Sequence, residues 1–157
     1  MAEHWTVEFG RLRVRVADFA WRRQALECHD LHHALTGYAL SPTGEMEIAA
    51  WEFGAGPYPS PWTYLMCLPL VGAGSLLIPR RIFAAYILGR HSRTLYSMPD
   101  ALQLPEAELR ARVLPATPPA ARFGDVLRCL VMMLLGIAVL LSPLVLLILL
   151  FASPEIE

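Results

Sequence analysis

The stretch His29-Asp30-Leu31-His32-His33-Ala34-Leu35-Thr36-Gly37-Tyr38-Ala39-Leu40-Ser41-Pro42-Thr43-Gly44-Glu45 decides the fold, because it reads as the turn between two helices. Gly37 suits the left-handed position that ends a helix, since it lacks the Cβ that penalises that conformation. Ser41 offers an N-cap oxygen to the second helix, and Pro42 fits the first helical position, where a missing N–H costs nothing. His33 lies four residues before the turn and Glu45 four residues after it, so an antiparallel pair brings them to similar heights. His29 and His33, four residues apart, share a face, and Asp30 is angularly close to both. Four potential ligands, His29, Asp30, His33 and Glu45, thereby converge from one helical hairpin. His32, about 100° around the helix from His33, is expected to face away in a surface or packing role. Glu52, seven residues after Glu45, is expected to be solvated.

Upstream of the hairpin, Arg11, Arg13 and Arg15 interleave with Leu12, Val14 and Val16. That period of two reads as a strand with one wet face, paired with Trp5–Phe9 across Gly10. An amphipathic helix would hide Leu12 and Val16 equally, so the alternation leaves both open. Asp18 is a candidate N-cap for the helix that carries the histidines. Downstream, the second helix is expected from about Pro42 to Phe53, stopped by Gly54, Gly56, Pro57, Pro59 and Pro61. No charged residue occurs between Glu52 and Arg80. Within that gap, Trp62 to Ile78 is apolar but carries Pro69, Gly72 and Gly74. These predict a break near the middle, and a buried or membrane-lying helix pair in preference to a transmembrane helix. Arg80 to Leu95 reads as a further helix, and a short one opens at Pro105 and ends at Leu114. In the short helix Glu106 and Glu108 precede Arg110, an order that suits the helix dipole.

Pro115 to Ala121 is rich in proline and alanine and should be extended. After Arg128, Cys129 to Ala152 is free of charge and dominated by Leu, Val, Ile and Met. Such a run is about 36 Å long as a helix, more than a hydrocarbon core of roughly 30 Å. A helix apolar on every face needs a large protein around it to be a core helix, and a chain of 157 residues is small. The expected organisation is a helical metal-site domain over 1–114, a linker over 115–124 and a transmembrane helix over 125–152. Arg122 and Arg128 before the span, against Glu155 and Glu157 after it, put the main domain on the cytoplasmic side of a bacterial inner membrane. The fold class is all-α, with a short strand pair at the N-terminus as its one exception.

Composition narrows the partners. Apolar residues make up 55% and charged residues 17%, and the formal net charge of −1 offers nucleic acid no broad attraction. Met1-Ala2-Glu3-His4-Trp5 lacks the basic and apolar regions of a secretory leader. Cys28, Cys67 and Cys129 are far apart and form no thiolate zinc pattern. Imidazole nitrogen together with carboxylate oxygen suits zinc, iron or manganese, and a carboxylate-rich site also holds magnesium. Asp30 and Glu45 are the candidate catalytic residues: both can ligate, or one can act as general base or orient a histidine.

His29, Asp30, His33, Gly44 and Glu45 together give H-D-x-x-H, eleven residues and G-E with no mismatch, and in this the chain resembles the coenzyme Q (ubiquinone) biosynthesis protein 4 family. The likeness runs from about Leu26 to Leu114, with Gly89-Arg90 and Pro105–Arg110 resembling that family's basic segment and closing helix. The chain has a shorter N-terminal side than family members and adds the C-terminal span. The resemblance implies an all-helical fold and a divalent metal held by the matched residues. It also implies a polyprenylated quinone precursor as ligand, and removal of the ring carboxylate at C1 coupled to hydroxylation there, a lyase-type activity at a membrane. Other quinone-biosynthesis proteins or further copies of the chain are the implied protein partners. The alternative is a non-catalytic, membrane-anchored lipid-binding or scaffold protein of a quinone-synthesis complex. Two other readings are weaker. The H-x-x-H-H pattern of membrane di-iron enzymes needs more histidines than His4 and His91 provide. An HD-type phosphohydrolase, suggested by His29-Asp30, needs a further His and Asp, which His4 and Asp100 or Asp125 supply only in unconvincing contexts.

Overall fold

Six α-helices carry the fold: α1 Ala20–Thr36, α2 Pro42–Ala55, α3 Pro61–Leu77, α4 Pro79–Arg90, α5 Glu106–Val113 and α6 Phe123–Ala152. They are seen in a computed structural model that describes residues 4–9, 12–17 and 20–152. Ahead of them β1 His4–Phe9 and β2 Leu12–Ala17 pair antiparallel, with Phe9 opposite Leu12 and His4 opposite Ala17. The expected turn at Gly10, the N-cap at Asp18 and the acidic residues Glu155 and Glu157 lie outside the described residues.

The turn between α1 and α2 forms through local chemistry. Gly37 has φ +79°, and its N–H donates to the His33 carbonyl at 2.9 Å, ending α1. Ser41 adopts an extended conformation and its Oγ accepts from Gly44 N–H at 3.2 Å, capping α2. The loop folds back so closely that a Cβ at Gly44 would overlap the Ala39 carbonyl. The glycine before Glu45 is therefore a steric requirement of this turn.

α2 is the core element. Ile48, Ala49, Ala50 and Trp51 are buried on it, together with Gly54. Full burial of side chains such as Ile48 and Trp51 contributes roughly 1.5–3 kcal/mol each. α4 runs parallel to α2, with Arg81 meeting Glu47 (Nε–Oε1 2.8 Å) at one end and Gly89 against Trp51 at the other. A side chain at Gly54 or Gly89 would strike the partner's backbone, so the two glycines set the spacing.

α3 is one continuous helix of 17 residues that contains Pro69, so the expected break near its middle does not occur. The two glycines are packing positions. Gly74 abuts Ile82 of α4, and Gly72 lies against Gly136 of α6 at a distance that admits no Cβ. Tyr64 and Leu68 flank Leu127 and Val131 while Gly72 meets Gly136, so α3 and α6 run in the same direction. α6 is docked at its start by Asp125, which accepts from Arg90 Nε at 3.0 Å. One stripe of α6, comprising Asp125, Cys129, Met132 and Gly136, is buried, whereas Leu141 to Leu146 are all exposed. Phe123–Leu146 is long and apolar enough to cross a membrane, with 17% of it buried.

α4 is shorter than the expected Arg80–Leu95. It stops at Arg90, and Leu95–Ser97 forms a 3-10 turn. The reason is a long-range one: the Leu95 N–H is turned inward to donate to His32 Nε2 at 2.9 Å.

Candidate metal centre

His29 and His33 project from α1 toward Glu45 in the first turn of α2. His29 Nε2 is 3.2 Å from Glu45 Oε2, His33 Nε2 is 3.3 Å from Glu45 Oε1, and the two Nε2 atoms are 3.3 Å apart. Each of the three residues offers a ligand atom, and those atoms all lie within 4.8 Å of one another. Cation–ligand bonds of 2.0–2.1 Å in a tetrahedron place neighbouring ligand atoms about 3.3–3.4 Å apart, so the spacing fits a first-row divalent ion. Three protein ligands leave coordination positions open.

Both imidazoles are aimed from behind. His33 Nδ1–H donates to the Tyr38 carbonyl at 2.9 Å, in the loop that Gly44 allows to fold back. His29 Nδ1–H donates to Glu52 Oε1 at 3.1 Å. Each ring thus turns Nε2 toward Glu45, the carbonyl–histidine and carboxylate–histidine support that metal sites use to fix the tautomer. Glu52 is 1% exposed, and its Oε1 also receives His32 Nδ1 at 2.7 Å and the Tyr96 hydroxyl at 2.8 Å. His32 Nε2 accepts the Leu95 N–H, so Nδ1 carries the proton it gives to Glu52. Glu52 Oε2 has no partner among the described residues.

Electrostatics follow from this arrangement. Burial would lower the His29 pKa, but hydrogen bonds and charge from Glu52 and then Glu45 outweigh it and raise it to about 9. Burial would raise the Glu52 pKa, yet its bonds from His29 and His32 bring it down to about 2. The Tyr96 hydroxyl is pushed well above its ordinary range by burial and by the Glu52 charge it donates to. Glu52 is thus an ionised, buried anchor for three donors.

Three expectations are corrected. Asp30 is exposed and outside the group that can hold a metal; it lines a separate groove with Glu27, Leu31 and Glu106. His32 is fully buried and belongs to the support of the site. Measured from His29, a helix of 3.6 residues per turn puts His33 at about +40°, His32 at about −60° and Asp30 at about +100°. Cys28 and Leu35, also buried, lie on the negative side of His29. α1 has therefore rolled its His32 side into the protein and its Asp30 side out. Glu52 is likewise buried, where a solvated role was expected. One signal for it was present: seven residues, two turns, keep it on the Glu45 face.

A cavity of about 340 Å³ opens beside the three ligands, lined by His29, Glu45, Glu52 and Tyr96 at its polar end and by Ala25, Leu26, Thr63, Met66, Cys67 and Leu70 elsewhere. Its volume lies in the range of small-molecule sites. Comparisons with family models, curated proteins and solved structures find no match to this chain.

Proposed function

We propose that this chain is a membrane-attached metalloprotein of quinone synthesis, with a divalent cation held by His29, His33 and Glu45 and a polyprenylated benzoquinone precursor as its ligand. The reading is carried by one observation: His29, His33 and Glu45 group their ligand atoms together, and His29 and Glu45 of that group stand at the polar end of a largely apolar cavity. Two nitrogens and one carboxylate favour zinc, iron or manganese over magnesium, which prefers oxygen ligands. When bound, the cation supplies Lewis acidity and coordination positions open to substrate. The residues of the chain do the rest. Met66, Cys67 and Leu70 exclude water and seat the prenyl tail, Glu52 keeps His29 aimed, and Glu45 shares in holding the cation and in handling protons at its half-exposed carboxylate. The reaction that the motif's resemblance suggests is loss of the C1 ring carboxylate coupled to hydroxylation. α6 attaches the protein to the bilayer, with the body on the cytoplasmic side, where Arg122 and Arg128 ahead of it meet anionic headgroups.

A non-catalytic lipid-binding or scaffold role is favoured by the outward position of Asp30, which leaves Glu45 as the only carboxylate in the group that can hold a metal. Deletion of the gene from a ubiquinone-producing host, with quinone intermediates followed by mass spectrometry, separates the two. Accumulation of a C1-carboxylated precursor, restored by the wild-type chain and not by His33→Ala, supports the enzyme. Restoration by both chains supports the scaffold.

A further inference from the structure

We infer that α3 and the docked half of α6 lie side by side in the plane of one membrane leaflet, so that the chain enters the bilayer from one face and does not cross it. This rests on the membrane attachment proposed above and replaces the simple span expected from the sequence. The occupant of the surface is the acyl-chain layer of a bilayer.

The outward faces of the two helices are both apolar. Trp62, Leu65 and Met66 of α3 and Leu130, Val131 and Leu134 of α6 are all exposed. α3 carries no charged residue along its 17 residues, about 25 Å of helix. Close contact at Gly72 and Gly136 holds the pair together at one depth, in the manner of small-residue helix contacts within membranes. Exposed apolar side chains along two packed helices mark a surface that is covered in use.

The depth of the neighbouring charges decides the orientation. α4 returns alongside α6, with Arg90 at Asp125 and Arg81 nine residues earlier, about 14 Å further along. Arg80, Arg81 and its partner Glu47 therefore stand level with the middle of Phe123–Leu146. A perpendicular α6 would draw those three charges into the hydrocarbon, among the most costly placements available to them. With the helices in plane, the charges stay on the water side of the body. From Leu141 to the end of α6 at Ala152 about 18 Å of helix projects past the body, short of a hydrocarbon core of roughly 30 Å. In this pose the cavity rim at Met66 and Leu70 faces the lipid, and a prenylated ligand reaches the histidines without passing through water.

The test uses the full chain, tagged at both termini, in bacterial membranes, with protease added to intact spheroplasts and to inverted vesicles. Both tags are expected to be cut in inverted vesicles and protected in spheroplasts. A C-terminal tag cut in spheroplasts while the N-terminal tag is protected overturns the inference and leaves membrane attachment standing. Recovery of the chain in the soluble fraction removes both. A second measurement compares Trp62 with a tryptophan placed at the far end of α3 (Leu77→Trp in a Trp62→Phe background), each read as the difference from the Trp62→Phe chain that keeps Trp5, Trp21 and Trp51, using phosphatidylcholine–phosphatidylglycerol vesicles that carry bromines at shallow or deep acyl positions. Equal ratios of shallow to deep quenching at the two ends support the in-plane pose. A gradient from one end to the other contradicts it.

Discussion

The α1–α2 interface and the α3–α6 interface are built by opposite means. Between α1 and α2 the contact is polar and directional: His29, His32, His33, Glu45 and Glu52 meet through hydrogen bonds and close nitrogen–oxygen contacts of 2.7–3.3 Å. Between α3 and α6 it is a matter of shape, with backbone against backbone at Gly72 and Gly136 and apolar side chains around them. The first interface is sensitive to which atoms are present, and the second to how much room they take. The candidate metal ligands sit on the interface where atoms are specified, and the long apolar helix sits on the one where only volume and apolarity are.

The largest effect is expected at the polar interface. Glu52→Ala leaves His29, His32 and Tyr96 without their shared acceptor and should destabilise the fold by about 3–5 kcal/mol, measured by denaturant unfolding in detergent. Equal stability of the variant would show that the two interfaces do not differ in the way described. Gly72→Ile at the apolar interface should cost about 1–3 kcal/mol by forcing α3 and α6 apart, and should leave metal uptake unchanged. Loss of metal uptake in that variant would tie the two interfaces together.

Protons give a smaller and more local test. His29 with its pKa raised to about 9 is protonated at neutral pH in the metal-free chain and must lose that proton to ligate. Because the folded pKa lies above the unfolded one, its contribution to metal-free stability is complete below about pH 6.5 and fades as pH rises through about 9. Calorimetry in buffers of different ionisation enthalpy should find about one proton released per cation bound at pH 7.5, and none well above pH 9. Asp30→Ala should be smallest, within about 0.5 kcal/mol and without effect on metal uptake, since its carboxylate is exposed and apart from the ligands. A weakened metal site in that variant would return Asp30 to the centre.

Local features of the hairpin were legible in the sequence because their causes are local. Gly37 ends α1 with positive φ, Ser41 caps α2 with Pro42 behind it, and the spacing from His33 to Glu45 brings the two side chains together. What was not legible depends on partners far away in the chain. The roll of α1, which buries His32 and exposes Asp30, is set by Glu52 and by the Leu95 N–H, 20 and 63 residues beyond His32. Gly72 and Gly74 look like helix breakers within α3 and serve as contact points once α6 and Ile82 are in place. α4 is cut short for the same sort of reason, since Leu95 is needed at His32. Periodicity locates a face of a helix, and only the partner decides which way that face turns.

The central claim is that His29, His33 and Glu45 form a metal site, and metal content tests it most directly. The full chain, purified in detergent and dialysed against zinc, iron(II) or manganese(II), should retain about one divalent ion per chain by mass spectrometry, and His33→Ala and Glu45→Ala should retain none while staying folded. A wild-type chain that holds no ion, or variants that hold as much as wild type, would contradict it.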